Sequence, residues 1–235
     1  MKLFRKIRQT LIKEGNIKKY LLYAIGEILL VMIGISLAFQ LDSWNENIIK
    51  KNTEIRYYEN IRDQIDDDKR LILEQMDYNN RYMAQYKYAN EIIESNNRKL
   101  LDTLGPIIRN LTQYSDFDRQ GNIYETMVNS GEIKIMRNFA IVNKIRALEE
   151  KYIYINRMEN IHYDAMLNYV IPAITPTIKF STTQIKRPEL IFNYEFQNLV
   201  LALLQVMTEK DEVYKEALEQ IKVITALIAE ELESN

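Results

Sequence analysis

The sequence predicts an all-α protein: one N-terminal transmembrane helix followed by an elongated antiparallel helical bundle. Three observations predict it. Residues 20–41, YLLYAIGEILLVMIGISLAFQL, are predominantly apolar and carry one formal charge, Glu27. Beyond Asp42 the apolar residues recur every three, four or seven positions, the spacing of one helix face. Gly and Pro number only six and four in 235 residues, too few for a turn-rich β fold.

The apolar run is long enough to cross a bilayer. About 22 residues at 1.5 Å each give roughly 33 Å, against a hydrocarbon core of ~30 Å. Its N-terminal flank carries Lys2, Arg5, Lys6, Arg8, Lys13, Lys18 and Lys19 against one acid, Glu14. The far flank opens with Asp42 and Glu46. Basic residues mark the cytoplasmic side, so the chain reads as N-terminus in. Tyr20, Tyr23 and Trp44 suit the two interfacial belts. Ser36-Leu37-Ala38 has the small-x-small form of a signal cleavage site, but the run exceeds the 7–15 apolar residues of a signal peptide. An uncleaved anchor is the expectation. This divides the chain into a basic cytoplasmic arm (1–19), a transmembrane helix (20–41) and a bundle domain (42–235), periplasmic in a bacterial inner membrane.

Within the run, Tyr20, Ala24, Glu27, Val31, Gly34, Ala38 and Leu41 step alternately by four and three, which is a heptad seam. Three of the seven are small, and small residues let membrane helices approach closely. Two readings of Glu27 stand. In one it lies inside an oligomer seam, as an intramembrane acid and candidate titrating residue. In the other it lies about 10 Å in and reaches back to the cytoplasmic headgroups.

Residues 2–13 place Leu3, Phe4, Ile7 and Leu11 on one side and Lys2, Arg5, Lys6, Arg8 and Lys13 around the rest. That pattern predicts a basic amphipathic helix on the membrane surface; the rival reading is a frayed topology signal. A long helix is predicted over 43–96, either continuing the span or starting anew after it, because no Gly or Pro occurs between Leu41 and Leu104. Asp66-Asp67-Asp68 is read as a solvated face, since adjacent positions on a helix do not converge on a metal. A short helix over 99–112 is kinked or restarted at Gly105-Pro106. Asn122 and Gly131 bracket another as N-cap and C-cap, and Ile133, Ile135 and Met136 form a buried knuckle. Asn138 caps a helix over 138–170, with Ile141, Ile145, Leu148, Tyr152, Ile155, Met158 and Ile161 on its core side and Pro172 and Pro176 stopping it. Residues 179–185 alternate weakly, as a short strand would. The last helix spans 189–232.

The composition excludes several functions. Net charge is −2 and no basic patch lies beyond the N-terminal arm, so nucleic acid is not expected as a partner. There is no cysteine, hence no disulfide or thiol chemistry. His162 is the single histidine, and a metal site needs several convergent ligands. No hydrolase, metalloprotease, P-loop or dinucleotide motif is present. Asn110-Leu111-Thr112 matches a glycosylation sequon of a length that arises by chance. The expectation is a protein with no enzymatic activity, cofactor or metal.

The block Phe4–Glu46, with FRKIR, KYLLYAIGEI, IGI and WNE, resembles the opening of a family of uncharacterised single-span membrane proteins of the Bacteroidota. Tyr124-Glu125-Thr126-Met127 and Asn129-Ser130-Gly131-Glu132, with Ile135 and Asn138, are similar to that family's mid-domain motif. Ser36 and Phe39 depart from it, standing where aliphatic residues are usual. The resemblance implies an inner-membrane location and no established activity.

Three functions follow as expectations. The first is a homo-oligomer, packed through the seam in the lipid bilayer, whose bundle meets an envelope protein partner. The second is a proton or ion pathway, or the single-span partner of a channel or motor, using Glu27. The third is a periplasmic ligand sensor acting through a partner, since helical bundles bind small molecules between helices.

Overall fold

The computed structural model describes residues 17–119 and 121–234, with only the backbone of Ile17, Lys19 and Tyr20. Helix α1 spans Ile17–Glu94 and joins the apolar run to the next domain without a break. A 3-10 turn at Arg98–Leu100 leads into α2, Leu101–Asn110, and α3 is Ile123–Ser130. Helix α4 is Phe139–Ala165; a π-helical turn, Met166–Val170, connects it to the short α5, Ile171–Ile174. Strands β1 (Ile178–Lys179) and β2 (Gln184–Ile185) form an antiparallel hairpin, Ile178 opposite Ile185. Helix α6, Tyr194–Ser234, ends the chain.

The chain divides into two units, residues 1–54 and 55–235. In the second, α1, α4 and α6 bury their stripes against one another. Asn79, Asn80 and Asn90 of α1 bond Met207, Asp211 and Gln197 of α6, so rising numbers on one meet falling numbers on the other. Helix α4 meets α6 in the same opposed sense, Lys151 reaching Glu216 and Asn138 reaching Glu231. Consequently α1 and α4 run parallel, and α6 opposes both. Of the antiparallel arrangement expected from the sequence, α6 against α1 and against α4 has it, whereas α1 and α4 run parallel because the connection 95–137 carries the chain back before α4 begins.

Two apolar cores form. One gathers Tyr58, Ile61, Ile65 and Ile72 with Ile141–Ile155 and Val213–Ile228. The other gathers Met83–Ile93 with α2, Val170, Ile174 and Phe196–Met207. The caps follow local chemistry. The Asn122 side chain accepts the Glu125 N–H, Asn138 accepts those of Ala140 and Ile141, and Gly131 takes the left-handed conformation, φ 76°, that closes α3. Met136 is buried, while Ile133 and Ile135 are only partly so.

Three further expectations are corrected. Pro172 does not stop its helix: the π turn widens the backbone just before it and helix resumes to Ile174, because a wider turn moves the carbonyl that the ring would strike. Ile161 is 45% exposed, and His162 takes its place in the core. Asp68 is 2% exposed, so only Asp66 and Asp67 of the acidic run face solvent.

Gly105 marks a close approach rather than a restart. Pro106 lies inside α2, and a Cβ at Gly105 would sit 2.0 Å from the carbonyl oxygen of Thr183 in the β1–β2 turn. Backbone cannot yield as a flexible side chain does. Gly105→Ala is expected to lift the hairpin and lower stability by about 1–3 kcal/mol, the range for overpacking, as read by the denaturant midpoint. A variant as stable as the parent would mean that the hairpin moves freely.

Candidate functional site

Two regions carry the residues of interest, one in each unit. In the first, most of the seam face is exposed. Val31 and Leu41 are 53% and 65% exposed, Gly34 and Ala38 are exposed, and Ala24 and Glu27 are partly covered. A Cβ on Gly26 or Gly34 would meet nothing within 4 Å. The structure keeps the seam residues in helical register, with Val31, Gly34, Ala38 and Leu41 exposed. Lys2, Arg5, Lys6, Arg8 and Lys13 lie outside the described residues, as does the side chain of Tyr20.

The second region is a polar layer between the two apolar cores of residues 55–235. Asn79 supplies it from α1, Glu159 and His162 from α4, and Lys210 and Asp211 from α6, each at most 6% exposed. The segment 111–119 enters at this level and adds Ser115, 1% exposed. Lys210 Nζ donates to the Ser115 carbonyl at 2.7 Å. Glu159 Oε1 accepts the Phe117 N–H at 2.8 Å and the Tyr214 hydroxyl at 2.6 Å, and Ser115 Oγ lies 3.1 Å from that hydroxyl. Burial pushes the Glu159 carboxyl up, against the pull of Tyr214, Lys210 and Phe117. Burial lowers Lys210 to about 8, against the pull of Glu159, so the amine stays protonated at pH 7. His162, fully buried, has no hydrogen-bond partner at either ring nitrogen; burial, aided by the Lys210 charge, lowers it to about 3.

One helical turn and more away, Asp68 on α1 faces Tyr152 on α4. The Asp68 carboxyl and the Tyr152 hydroxyl interact with one another across the two helices. Arg119 stacks over the Tyr152 ring at 4.8 Å and grips Glu149 through two bonds of 2.7 and 2.6 Å. Burial raises Asp68 to about 6, partly opposed by Tyr152 and Arg119. Two cavities flank the loop that carries Arg119. The larger, about 680 Å³, touches Asp116, Asp118, Asn156 and Glu159. The smaller, about 360 Å³, touches Asp63, Asp67 and Asp68.

Residues 27–208 match the model of a family of unknown function, DUF6090. The chain belongs to this family. No curated protein and no solved structure matches it. The DUF6090 match begins inside the apolar run, at Glu27, and so leaves out Tyr20 and Ala24 of the seam. It includes Asp68, Ser115, Glu159 and His162 and stops two residues before Lys210. In this DUF6090 chain the buried polar groups occupy seam positions of their helices. Ile61, Ile65, Asp68 and Ile72 step by four, three and four; so do Tyr152, Ile155, Glu159, His162 and Met166 in alternation, and Leu203, Met207, Lys210 and Tyr214. Polar residues at apolar positions were the signal that could have located the layer.

Proposed function

We propose that this chain is a single-span protein of a bacterial inner membrane. It self-associates through the face of Tyr20, Ala24, Glu27, Val31, Gly34, Ala38 and Leu41. It holds its helical domain in the periplasm, where that domain meets envelope partners, and it is not an enzyme. One observation carries the reading. Thirteen large apolar side chains between Leu21 and Leu41 stand 48–72% exposed, whereas the helices of residues 55–235 fold their stripes inward. At about 1 kcal/mol for the exposed part of each, that run in water would forfeit on the order of 10 kcal/mol, as much as a domain's whole stability. A bilayer removes that penalty, and the run is one helix long and apolar enough to cross it. Gly26, Gly34 and Ala38 favour contact between copies, because lipid alone gives no reason to thin the helix surface.

Cysteine substitutions test the seam, since the chain has none of its own. Gly34→Cys and Ala38→Cys are expected to crosslink copies in native membranes under mild oxidation, and Leu29→Cys and Ser36→Cys, on the opposite face, are not. Equal yields from both faces would remove the seam. A reporter fused to the C-terminus and active in the cytosol would overturn the layout.

A second reading rests on the single ionisable group of the run. Glu27 would be the titrating residue of a proton or ion pathway, alone or beside a larger channel or motor. Glu27→Gln then abolishes ion flux while insertion and crosslinking persist; unchanged flux removes this reading.

A further inference from the structure

The seam of the apolar run does not stop at Leu41. Helix α1 continues without a break, and the same alternation of four and three residues picks out Asn45, Ile48 and Asn52. In heptad terms Ala38, Asn45 and Asn52 hold position a, and Leu41 and Ile48 hold position d. Trp44 and Ile49 flank them at positions g and e, where charged residues are usual. The far side of the helix is polar. Ser43 and Lys50 stand there at position f, and Lys50 pairs with its neighbour Glu46 at 2.7 Å. Leu41, Trp44, Ile48 and Ile49 are 65, 65, 39 and 57% exposed, and Asn45 and Asn52 are exposed beside them.

Lipid cannot cover the outer part of this stripe. Ile48 and Ile49 lie about 10–12 Å beyond Leu41 along the helix. The headgroup layer adds only about 5–7 Å on each side of the hydrocarbon core. Trp44, about 5 Å beyond Leu41, suits that layer, so it is the two isoleucines that need protein.

A second copy is the cover that fits. Copies joined along residues 20–41 hold the next turns of α1 face to face, in one heptad frame and in one direction across the bilayer. Asn at position a is costly, because its amide leaves water, and the same amide on an identical helix in register satisfies it. It also selects two parallel strands, whereas isoleucine at both a and d favours three or four. Asn45 and Asn52, one heptad apart, apply that selection twice. We propose that residues 41–52 of two copies form a parallel two-stranded coiled coil just outside the bilayer, Asn45 and Asn52 each meeting its counterpart, so that the assembled protein is a dimer. The pairing rests on the self-association of the spans, and it adds their number, their register and a contact beyond the membrane.

Cysteine crosslinking of the full chain in native membranes, with Gly34→Cys as reference, tests it. Asn45→Cys and Ile48→Cys are expected to join copies under mild oxidation, roughly fivefold more than Ser43→Cys and Lys50→Cys on the far side. Equal yields from the two sides would overturn the coiled coil. Crosslinking of Gly34→Cys without Ile48→Cys would overturn it too and leave the seam in the bilayer standing. Failure of both would remove seam and coiled coil together. Light scattering on the detergent-solubilised full chain counts the copies. Two are expected in the parent, and about three or four when Asn45→Ile is combined with Asn52→Ile. A parent of one chain or of three or more, or a double variant that stays at two, would overturn the proposal.

Discussion

Glu159→Ala is expected to destabilise the helical domain by about 3–5 kcal/mol, a large share of a domain's whole stability. The carboxylate is 4% exposed and answers three groups at once: the Phe117 N–H, the Tyr214 hydroxyl and the charge of Lys210. Alanine leaves all three buried and unanswered. Lys210, 1% exposed, keeps only the Ser115 carbonyl at 2.7 Å, and one neutral acceptor does not compensate a desolvated ammonium. Glu159→Gln retains an oxygen for the two donors and removes the charge, so its loss is expected to be smaller. Combining it with Lys210→Met removes the uncompensated cation, and the double variant is expected to be more stable than the sum of the two single losses predicts. Denaturant unfolding followed by circular dichroism measures the parent and the four variants. Additivity would mean that Glu159 and Lys210 do not sense one another.

Much of this architecture was legible in the sequence because it is local. The helix α1 follows from the lack of Gly and Pro between Leu41 and Leu104, and the caps Asn122, Gly131 and Asn138 from chemistry within three residues of each. The interior polar groups were harder, because their partners lie 42–128 residues away. Nothing local says that Glu159 meets the Phe117 backbone or that Asn79 meets the Met207 carbonyl. Asp68 was obscured differently. Its two acidic neighbours suggested one solvated face, although adjacent residues of a helix are about 100° apart and Asp68 shares the side of Ile65 and Ile72. The parallel course of α1 and α4 was not legible either, since it depends on where the connection 95–137 lies.

Acid is expected to weaken this domain through His162, and the sign follows from its burial. Its unfolded-state pKa is near 6.5 and its folded-state pKa near 3, because both ring nitrogens are enclosed without partners and Lys210 stands close in charge. A depressed folded-state value means that the imidazole contributes fully above pH 6.5. Its contribution is then lost as pH falls toward 3, at about 1.4 kcal/mol per unit. Asp68 and Glu159 act in the opposite sense, since their raised values favour the folded state as acid is added. The parent alone therefore mixes the effects, and the informative quantity is a difference. His162→Leu forfeits no hydrogen bond and packs a similar volume against Tyr114, whose ring lies 6.1 Å from the imidazole. It is expected to match the parent at pH 7 within about 1 kcal/mol and to exceed it at pH 5 by about 2 kcal/mol more than at pH 7. The carboxyl terms occur in both proteins and cancel. A gap that stays constant between pH 7 and 5 would mean that the imidazole takes up its proton in the folded domain as readily as in the unfolded chain, and that the buried layer opens to water at His162.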